Sequence, residues 1–330
     1  MDFRESTYKW VSEPNGPDSQ LVKDWCVQQM HDALPGREDM WKALTPDYNP
    51  GCKRILISDD YYPTLALPQV SLETRSIDHI TSDGIALKDT AETLPFDLIV
   101  LATGFRTLQF MHPISITGQS GRSLNDVWSS GARAYNGVCV PSLPNFGMLY
   151  GPNTNLGHNS IILMIEAQSR YICGMVAAVL EARMRDGEHG SNAVDEKNGS
   201  GPPVARGLAL VPKPAAVDAY NAKLQKTLAA SAFADPACNS WYKDPTSGLI
   251  TNNWSGTVVE YQELLSKIEW ADFEGGQVVE EMRKEKAAQL GRVVEETRVS
   301  DKLLVGLSVA AVVLGGALRY QKALSSLLRA

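Results

Sequence analysis

The chain has 330 residues, of which 44% are apolar, so it can bury one large core or two modest ones, and disorder throughout is excluded. The formal net charge of -7 and the isoelectric point near 5.4 argue against a nucleic-acid-binding surface. Phosphate contacts need clustered lysine and arginine side chains, and no such cluster occurs. Small molecules or proteins are therefore the expected partners.

The cysteine and histidine patterns predict no covalent framework and no metal site. The five cysteines are odd in number and contain no CxxC pair, so we expect neither a disulfide framework nor a zinc site, and a reducing compartment fits best. The five histidines are too dispersed for a sequence-local metal site.

The first hundred residues alternate between helical and extended patterns. Residues 1–50 carry scattered apolar positions at helical spacing and are interpreted as a helical lead-in. Short strands are predicted at Arg54–Ser58, at Pro68–Thr74 and, after a turn at Ser82–Gly84, at Ile85–Leu87. Consecutive strands joined by turns favour an antiparallel arrangement.

One apolar run and one apolar helix dominate the middle of the chain. Asp97–Gly104 is a continuous apolar run ending in glycine, which is typical of a strand buried on both faces. Asn159 and Ser160 are good N-cap residues for a mostly apolar helix over residues 161–180, whose amino end emerges from the loop Gly151–His158.

The remaining segments are predicted to lie outside the main core. Residues 184–206 are rich in glycine and charge and are interpreted as a mobile surface insertion, and residues 274–300 as a charged helical stalk. Within residues 301–320, the uncharged stretch Leu303–Leu318 would span roughly 24 Å as a helix, short of a roughly 30 Å hydrocarbon layer unless its flanking cations extend outward. A transmembrane tail anchor, a docked core helix and a gene-model artefact all remain open for this stretch.

Several common catalytic motifs are absent from the sequence. No GxGxxG and no GxxxxGK[ST] occurs, so neither common glycine-rich phosphate loop is present. GxSxG and HExxH are also missing, which removes the ordinary hydrolase and metalloprotease interpretations.

Three blocks stand out together: Gly51–Pro63, Asp97–Phe105 and Tyr150–Ser160. They resemble class B flavoprotein monooxygenases of the Baeyer-Villiger type, in particular the branch that includes 4-hydroxyacetophenone monooxygenase, and their order and spacing are like those of the second half of such enzymes. Cys238–Tyr242 and Asn253–Gly256 resemble the closing segment of the family. The resemblance covers roughly residues 40–270.

This resemblance implies an α/β fold that is the distal part of a flavoprotein with two dinucleotide-binding domains. Residues 51–105 would be the remainder of the NADPH domain, and residues 106–273 the carboxy-terminal part of the FAD domain. The glycine-rich βαβ units that bind FAD at the amino end and NADPH in mid-chain would both lie upstream. The complete family enzyme uses FAD and NADPH, and this chain alone is expected to hold neither stably.

The resemblance places Arg54 where the family has the arginine attributed to holding the flavin peroxide anion and the nicotinamide. A permanently protonated guanidinium stabilises such an anion, so Arg54 is the candidate catalytic residue. The alternative is that Arg54 only forms an ion pair with Asp59, Asp60 or another surface carboxylate.

The loop before residue 161 is the candidate flavin-binding element. A reduced flavin carries negative charge around N1 and the C2 carbonyl, which backbone N–H groups at a helix amino terminus can stabilise. An asparagine-rich capped loop without a ligand is the alternative. The candidate cofactor-binding residues are Gly104, Gly151, Pro152, Asn153, Asn155, Gly157, His158 and Asn159.

Two functions are compatible with these observations. The first is a fragment of a monooxygenase that inserts one oxygen atom of O2 into a ketone or into a heteroatom substrate, inactive as an isolated chain. The second is a catalytically dead, membrane-tethered scaffold or binding protein derived from such an enzyme. The expected location is the cytosolic face of a membrane or the cytoplasm.

Overall fold

The amino-terminal part of the structure, a computed structural model that describes residues 6–190 and 207–283, begins with helices. Their bounds are α1 (Lys9–Ser12), α2 (Pro17–Ala33) and α3 (Glu38–Leu44). Pro17 occupies the first position of α2, where its missing N–H removes no helical hydrogen bond. The helices expected in the first 50 residues are therefore present.

A small antiparallel sheet follows the helix α4 (Tyr61–Leu65). Its strands are β1 (Ile77–Ile80), β2 (Gly84–Leu87) and β3 (Thr93–Pro95), in the order β1-β2-β3. β2 confirms the strand predicted at residues 85–87, and both of its pairings are antiparallel, as expected. Gly84 faces the backbone of β3 so closely that a Cβ there would lie 1.9 Å from the carbonyl oxygen of Leu94.

Three predicted strands are absent from this part of the structure. Residues 54–58, 68–74 and 97–104 form no strand. The error is largest for residues 97–104, which were expected to be buried on both faces, because Leu98, Val100 and Leu101 are 77%, 79% and 71% exposed.

Missing neighbours explain the two apolar errors. Residues 54–58 and 97–105, called the open segments below, make no backbone hydrogen bond to another described residue. Ile57 and Phe105 are 97% and 95% exposed. A β-branched apolar pattern predicts a strand only where neighbouring strands and covering layers are present. The pattern does not show whether the chain contains those neighbours.

The carboxy-terminal part surrounds one long helix. Its helices are α5 (Leu124–Val127), α6 (Ile161–Gly190), α7 (Pro214–Leu228), α8 (Val258–Leu264) and α9 (Gly276–Met282), with β4 (Val211–Pro212) paired antiparallel to β5 (Phe273–Glu274) and short 3-10 turns at Gln119–Gly121, Ala232–Ala234 and Trp270–Asp272. One face of α6, which includes Met164, Tyr171 and Ala178, is fully buried. Their spacing of seven residues is that of a single helix face.

The helix α6 begins at the predicted residue and continues ten residues beyond the predicted end at 180, so the chain is helical through residue 190. The rest of the proposed insertion, the stalk beyond residue 283 and the tail at 301–320 lie outside the described residues. Within the described part, one helix, Ile161–Arg185, is both long enough and apolar enough to cross a membrane. Because the core helix of a globular domain meets the same criterion, it carries no membrane assignment.

The cysteine pattern was interpreted wrongly in one respect. Cys52 and Cys238 form a disulfide, although they are 186 residues apart and neither belongs to a CxxC pair. The fold brings the turn before Arg54 against the segment Cys238–Tyr242. A single long-range pair in a chain with an odd number of cysteines leaves no signature in sequence spacing.

Gly137 supplies a stability test of the carboxy-terminal part. Its φ is +69°, and a Cβ there would lie 2.2 Å from Cγ2 of Thr154 and 3.0 Å from the carbonyl oxygen of Pro152. We expect Gly137→Ala to lower the free energy of unfolding by more than about 2 kcal/mol, because it adds left-handed strain to overpacking. Urea denaturation measures this. Gly207→Ala is the matched control, since nothing lies within 4 Å of its Cβ position, and equal losses in both variants would contradict the packing described here.

Candidate functional site

Hydrogen bonds fasten the loop of residues 151–160 to residues 250–254. The buried side chain of Asn153 donates through Nδ2 to the carbonyl oxygens of Ile250 (2.6 Å) and Asn253 (2.9 Å). The backbone N–H of Asn155 donates to the carbonyl oxygen of Asn252 at 3.0 Å. Of the two roles open to these asparagines, ligand binding or pinning the loop, the structure shows the second for Asn153.

A second set of hydrogen bonds holds Tyr150 at the start of the loop. Tyr150 has a φ of +56°, and its N–H donates to Oε1 of the fully buried Gln168 at 2.8 Å. Nε2 of Gln168 donates to the Tyr261 hydroxyl (2.9 Å), which donates to the carbonyl oxygen of Asn136 (2.8 Å). The Tyr150 hydroxyl donates to Oδ1 of Asn155 at 2.9 Å. A left-handed conformation is costly for tyrosine, and this buried network offsets the cost.

The two loop glycines and the proline differ in their surroundings. A Cβ at Gly151 would lie 2.3 Å from the carbonyl oxygen of Gly137 and 2.8 Å from the side chain of Met148, so Gly151 makes room for its own chain. Pro152 is buried beside it. Gly157 is exposed and has nothing within 4 Å of its Cβ position, so the loop is open to an incoming group there.

His158 and Asn159 lie between the loop and α6. His158 is partly buried, and that burial lowers the pKa of its imidazole to about 4, so the ring is neutral at pH 7. The ring of Tyr8 lies 5.0 Å from it, centroid to centroid. Oδ1 of Asn159 accepts a hydrogen bond from the N–H of Ser160 at 2.7 Å, one residue before α6 begins. A neutral ring leaves this helix start free of a competing positive charge.

Arg54 is exposed and forms no ion pair with any carboxylate in the described ranges. The alternative partners Asp59 and Asp60 therefore do not hold it. Burial raises the pKa of the Tyr150 and Tyr242 phenols, and the positive charge of Arg54 partly offsets both increases. The guanidinium thus lies close enough to both phenols for its field to act on them.

The structure brings Arg54 and the loop to one region through Tyr150, which Arg54 influences and which bonds to Asn155. Gly104 has a φ of +82° and is exposed in one of the open segments, with nothing within 4 Å of its Cβ position. A positive φ is a conformation that glycine adopts without a steric cost. The assigned roles of all these residues remain predictions.

Sequence reasoning missed the residues that support the site. Tyr150 and Tyr242 lie in blocks that resemble the family but carry no predicted role, and Gln168 and Tyr261 belong to no motif. Gln168 offered one signal: a polar side chain on the apolar face of a helix needs a buried hydrogen-bond partner. The partners of Tyr150 and Tyr261 are distant in sequence and offered none.

The described residues fit one end of a flavin and not the other. A cation without a carboxylate partner and an exposed loop at Gly157 suit an electron-rich planar ring. The pyrophosphate of FAD or NADPH needs a glycine-rich turn at a helix start, and the sequence contains none. In the part of the chain that the structure describes, no three His, Cys, Asp or Glu side chains are grouped to hold a metal.

Comparison with curated proteins identifies similar sequences. The chain is 45% identical over 313 residues to the FAD-binding monooxygenase ktnD of Aspergillus niger, covering 94% of this chain and 48% of that protein. It is 33% identical over 231 residues to a Baeyer-Villiger monooxygenase of Streptomyces coelicolor, covering 70% of this chain and 40% of that protein. The chain thus spans about half the length of the curated relatives it matches. No protein-family model matches it.

Comparison with solved structures shows the fold. An oxidized steroid monooxygenase bound to NADP matches 81% of this chain and 46% of its own, with a TM-score of 0.61 and 22% identity. A cyclohexanone monooxygenase from Rhodococcus sp. Phi1 bound to NADP+ matches the same shares, with a TM-score of 0.62 and 20% identity. The fold is therefore part of a flavoprotein monooxygenase fold.

These similarities confirm the family resemblance seen in the three sequence blocks. The chain belongs to the FAD-binding, Baeyer-Villiger-type monooxygenases and corresponds to a carboxy-terminal portion of them.

Proposed function

We propose that the chain is the distal half of an FAD- and NADPH-dependent monooxygenase that inserts one oxygen atom of O2 into a ketone or into a heteroatom substrate. The observation that supports this best is Arg54, a guanidinium without a carboxylate partner in the described ranges, beside Tyr150 and the loop of residues 151–160. An unpaired cation next to an open loop is suited to an anionic ligand.

Each side chain of the site has a separate task in this proposal. The flavin, when bound, supplies the activation of O2. Arg54 stabilises negative charge on oxygen, since its planar guanidinium presents several N–H donors to an anionic oxygen. Gly157 leaves the loop open to one edge of the ring, and the neutral His158 adds no competing charge. Tyr150 and Asn155 keep the loop in place through the hydrogen bond between their side chains.

The open segments explain why we propose that the isolated chain is inactive. They carry exposed apolar side chains, and they make no backbone–backbone hydrogen bond to another described residue. Apolar segments with unpaired backbone are completed by strands from another element. We propose that these strands belong to the glycine-rich βαβ units that bind the two dinucleotides. Association with those units would then provide both the phosphate-binding sites and the missing strands of the sheet.

Flavin retention tests this proposal. We expect the purified chain to be colourless. The chain is then co-expressed with the part of the Aspergillus niger relative that lies outside the matched region. We expect the two polypeptides to co-purify with bound flavin, because the cofactor phosphates then have a binding site. The visible absorbance of the purified material and its release of free flavin on denaturation measure this. Stoichiometric flavin in the chain alone would contradict the proposal, and failure of the two parts to associate would favour a catalytically dead scaffold.

Arg54→Ala tests the catalytic assignment in the assembled enzyme. We expect the rate of ketone oxygenation to fall by about 100-fold or more, the usual effect of removing one charge-stabilising group, while sulfide oxidation falls far less. Product formation from one ketone and one sulfide measures the two losses. Arg183→Ala, at an exposed arginine on α6, is the matched control and should change neither rate. Equal losses for ketone and sulfide in the Arg54 variant would reject the role.

A further inference from the structure

The Cys52–Cys238 bond lies at the base of the segment that carries Arg54. Both cysteines are buried, with exposed fractions of 0% and 3%, and their Cα atoms are 6.2 Å apart. That separation lies within the range of ordinary disulfides. The other cysteines, Cys26, Cys139 and Cys173, are free.

A hydrogen bond joins the same two segments, and two others hold Asp235 within the segment of Cys238. The N–H of Asn49 donates to Oδ2 of Asp235 at 3.0 Å, and Nζ of Lys243 donates to the carbonyl oxygen of Asp235 at 3.2 Å. The N–H of Cys238 donates to that same carbonyl oxygen at 3.1 Å. Breaking the disulfide would therefore loosen the two segments without separating them, since the hydrogen bond between Asn49 and Asp235 remains.

The bond has a direct effect on where Arg54 can lie. Arg54 follows Cys52 by two residues, and residues 54–58 make no backbone hydrogen bond to another described residue. Tyr242 is buried and follows Cys238 by four residues. Burial raises the pKa of its phenol, and the positive charge of Arg54 partly offsets that increase. The disulfide is thus the nearest covalent connection between the segment of Arg54 and the segment of Tyr242.

We propose that Cys52 and Cys238 form a reversible thiol–disulfide site that reacts with hydroperoxide, and that its oxidised state holds Arg54 beside Tyr242. In the forward step, two S–H bonds and the O–O bond of hydrogen peroxide break, one S–S bond forms, and two molecules of water leave. The thiols lose two electrons and the peroxide gains them. A small-molecule dithiol returns two electrons and two protons and restores both thiols.

The burial of both sulfurs sets the kinetics of this site. Peroxide and dithiol reach them only when the turn of residues 49–54 opens, so exchange depends on local unfolding. The site therefore responds slowly to a reductant in the folded chain and quickly once that turn is disturbed. The importance of Arg54 rests on the proposed function, whereas the chemistry of the thiol pair does not.

The experiment uses the full chain. It is reduced with dithiothreitol, freed of reductant, treated with hydrogen peroxide, alkylated and digested without reduction. We expect mass spectrometry to find a peptide pair linking residues 52 and 238 and the loss of two thiols. Cys52→Ser should abolish that pair. Cys173→Ser, at an exposed free cysteine, is the matched control and should retain it.

A second measurement on the unmodified sequence follows the position of Arg54. Amide hydrogen exchange of residues 50–58 is compared between the reduced and the oxidised chain, and we expect about tenfold slower exchange at Cys52 and Lys53 in the oxidised chain. No cross-linked pair after peroxide, or equal exchange in both states, would overturn the proposal. Its failure differs from failure of the proposed function, because a chain that forms the pair but shows no Arg54 effect in turnover refutes only the oxygenase role.

Discussion

An apolar segment with the pattern of a strand needs neighbouring strands to pair its backbone and cover its side chains. The surroundings of the candidate site depend on this requirement. Residues 54–58 and 97–105 have the composition of strands from the interior of a parallel sheet, yet they lie exposed. Apolar surface of that extent favours association with another element. The same two segments carry Arg54 and Gly104, so whatever covers them also completes the surroundings of the candidate site.

The loop before α6, in contrast, is fastened by other described residues of the carboxy-terminal part. This loop of residues 151–160 is fastened by Asn153 to residues 250–253, and Tyr150 is held by a chain of hydrogen bonds that passes through Gln168 and Tyr261. The bonds of Asn153 and the bond between Gln168 and Tyr261 are buried, where a hydrogen bond is least weakened by water. The loop is held by hydrogen bonds, whereas the segment of Arg54 is less constrained. This difference suits our proposal that the nucleotide-binding units complete the site, because the loop is already in place when those units bind.

The sequence was informative wherever structure depends on near neighbours. The helices of residues 9–44, the β2 strand and the start of α6 at Ile161 follow from local spacing, turns and caps. The prediction of a strand at residues 97–104 was wrong, because the apolar pattern implies neighbouring strands that the described residues do not provide. The Cys52–Cys238 pair and the bond between Gln168 and Tyr261 join distant residues, and no local pattern encodes such a partner.

We propose that the open segments become strands when the nucleotide-binding half is present. Amide hydrogen exchange of residues 54–58 and 97–105, measured in the chain alone and in its complex with the unmatched part of the Aspergillus niger relative, tests it most directly. We expect exchange near the unprotected rate in the chain alone and slowing of about 100-fold or more in the complex. Unchanged exchange in a complex that has bound flavin would contradict it.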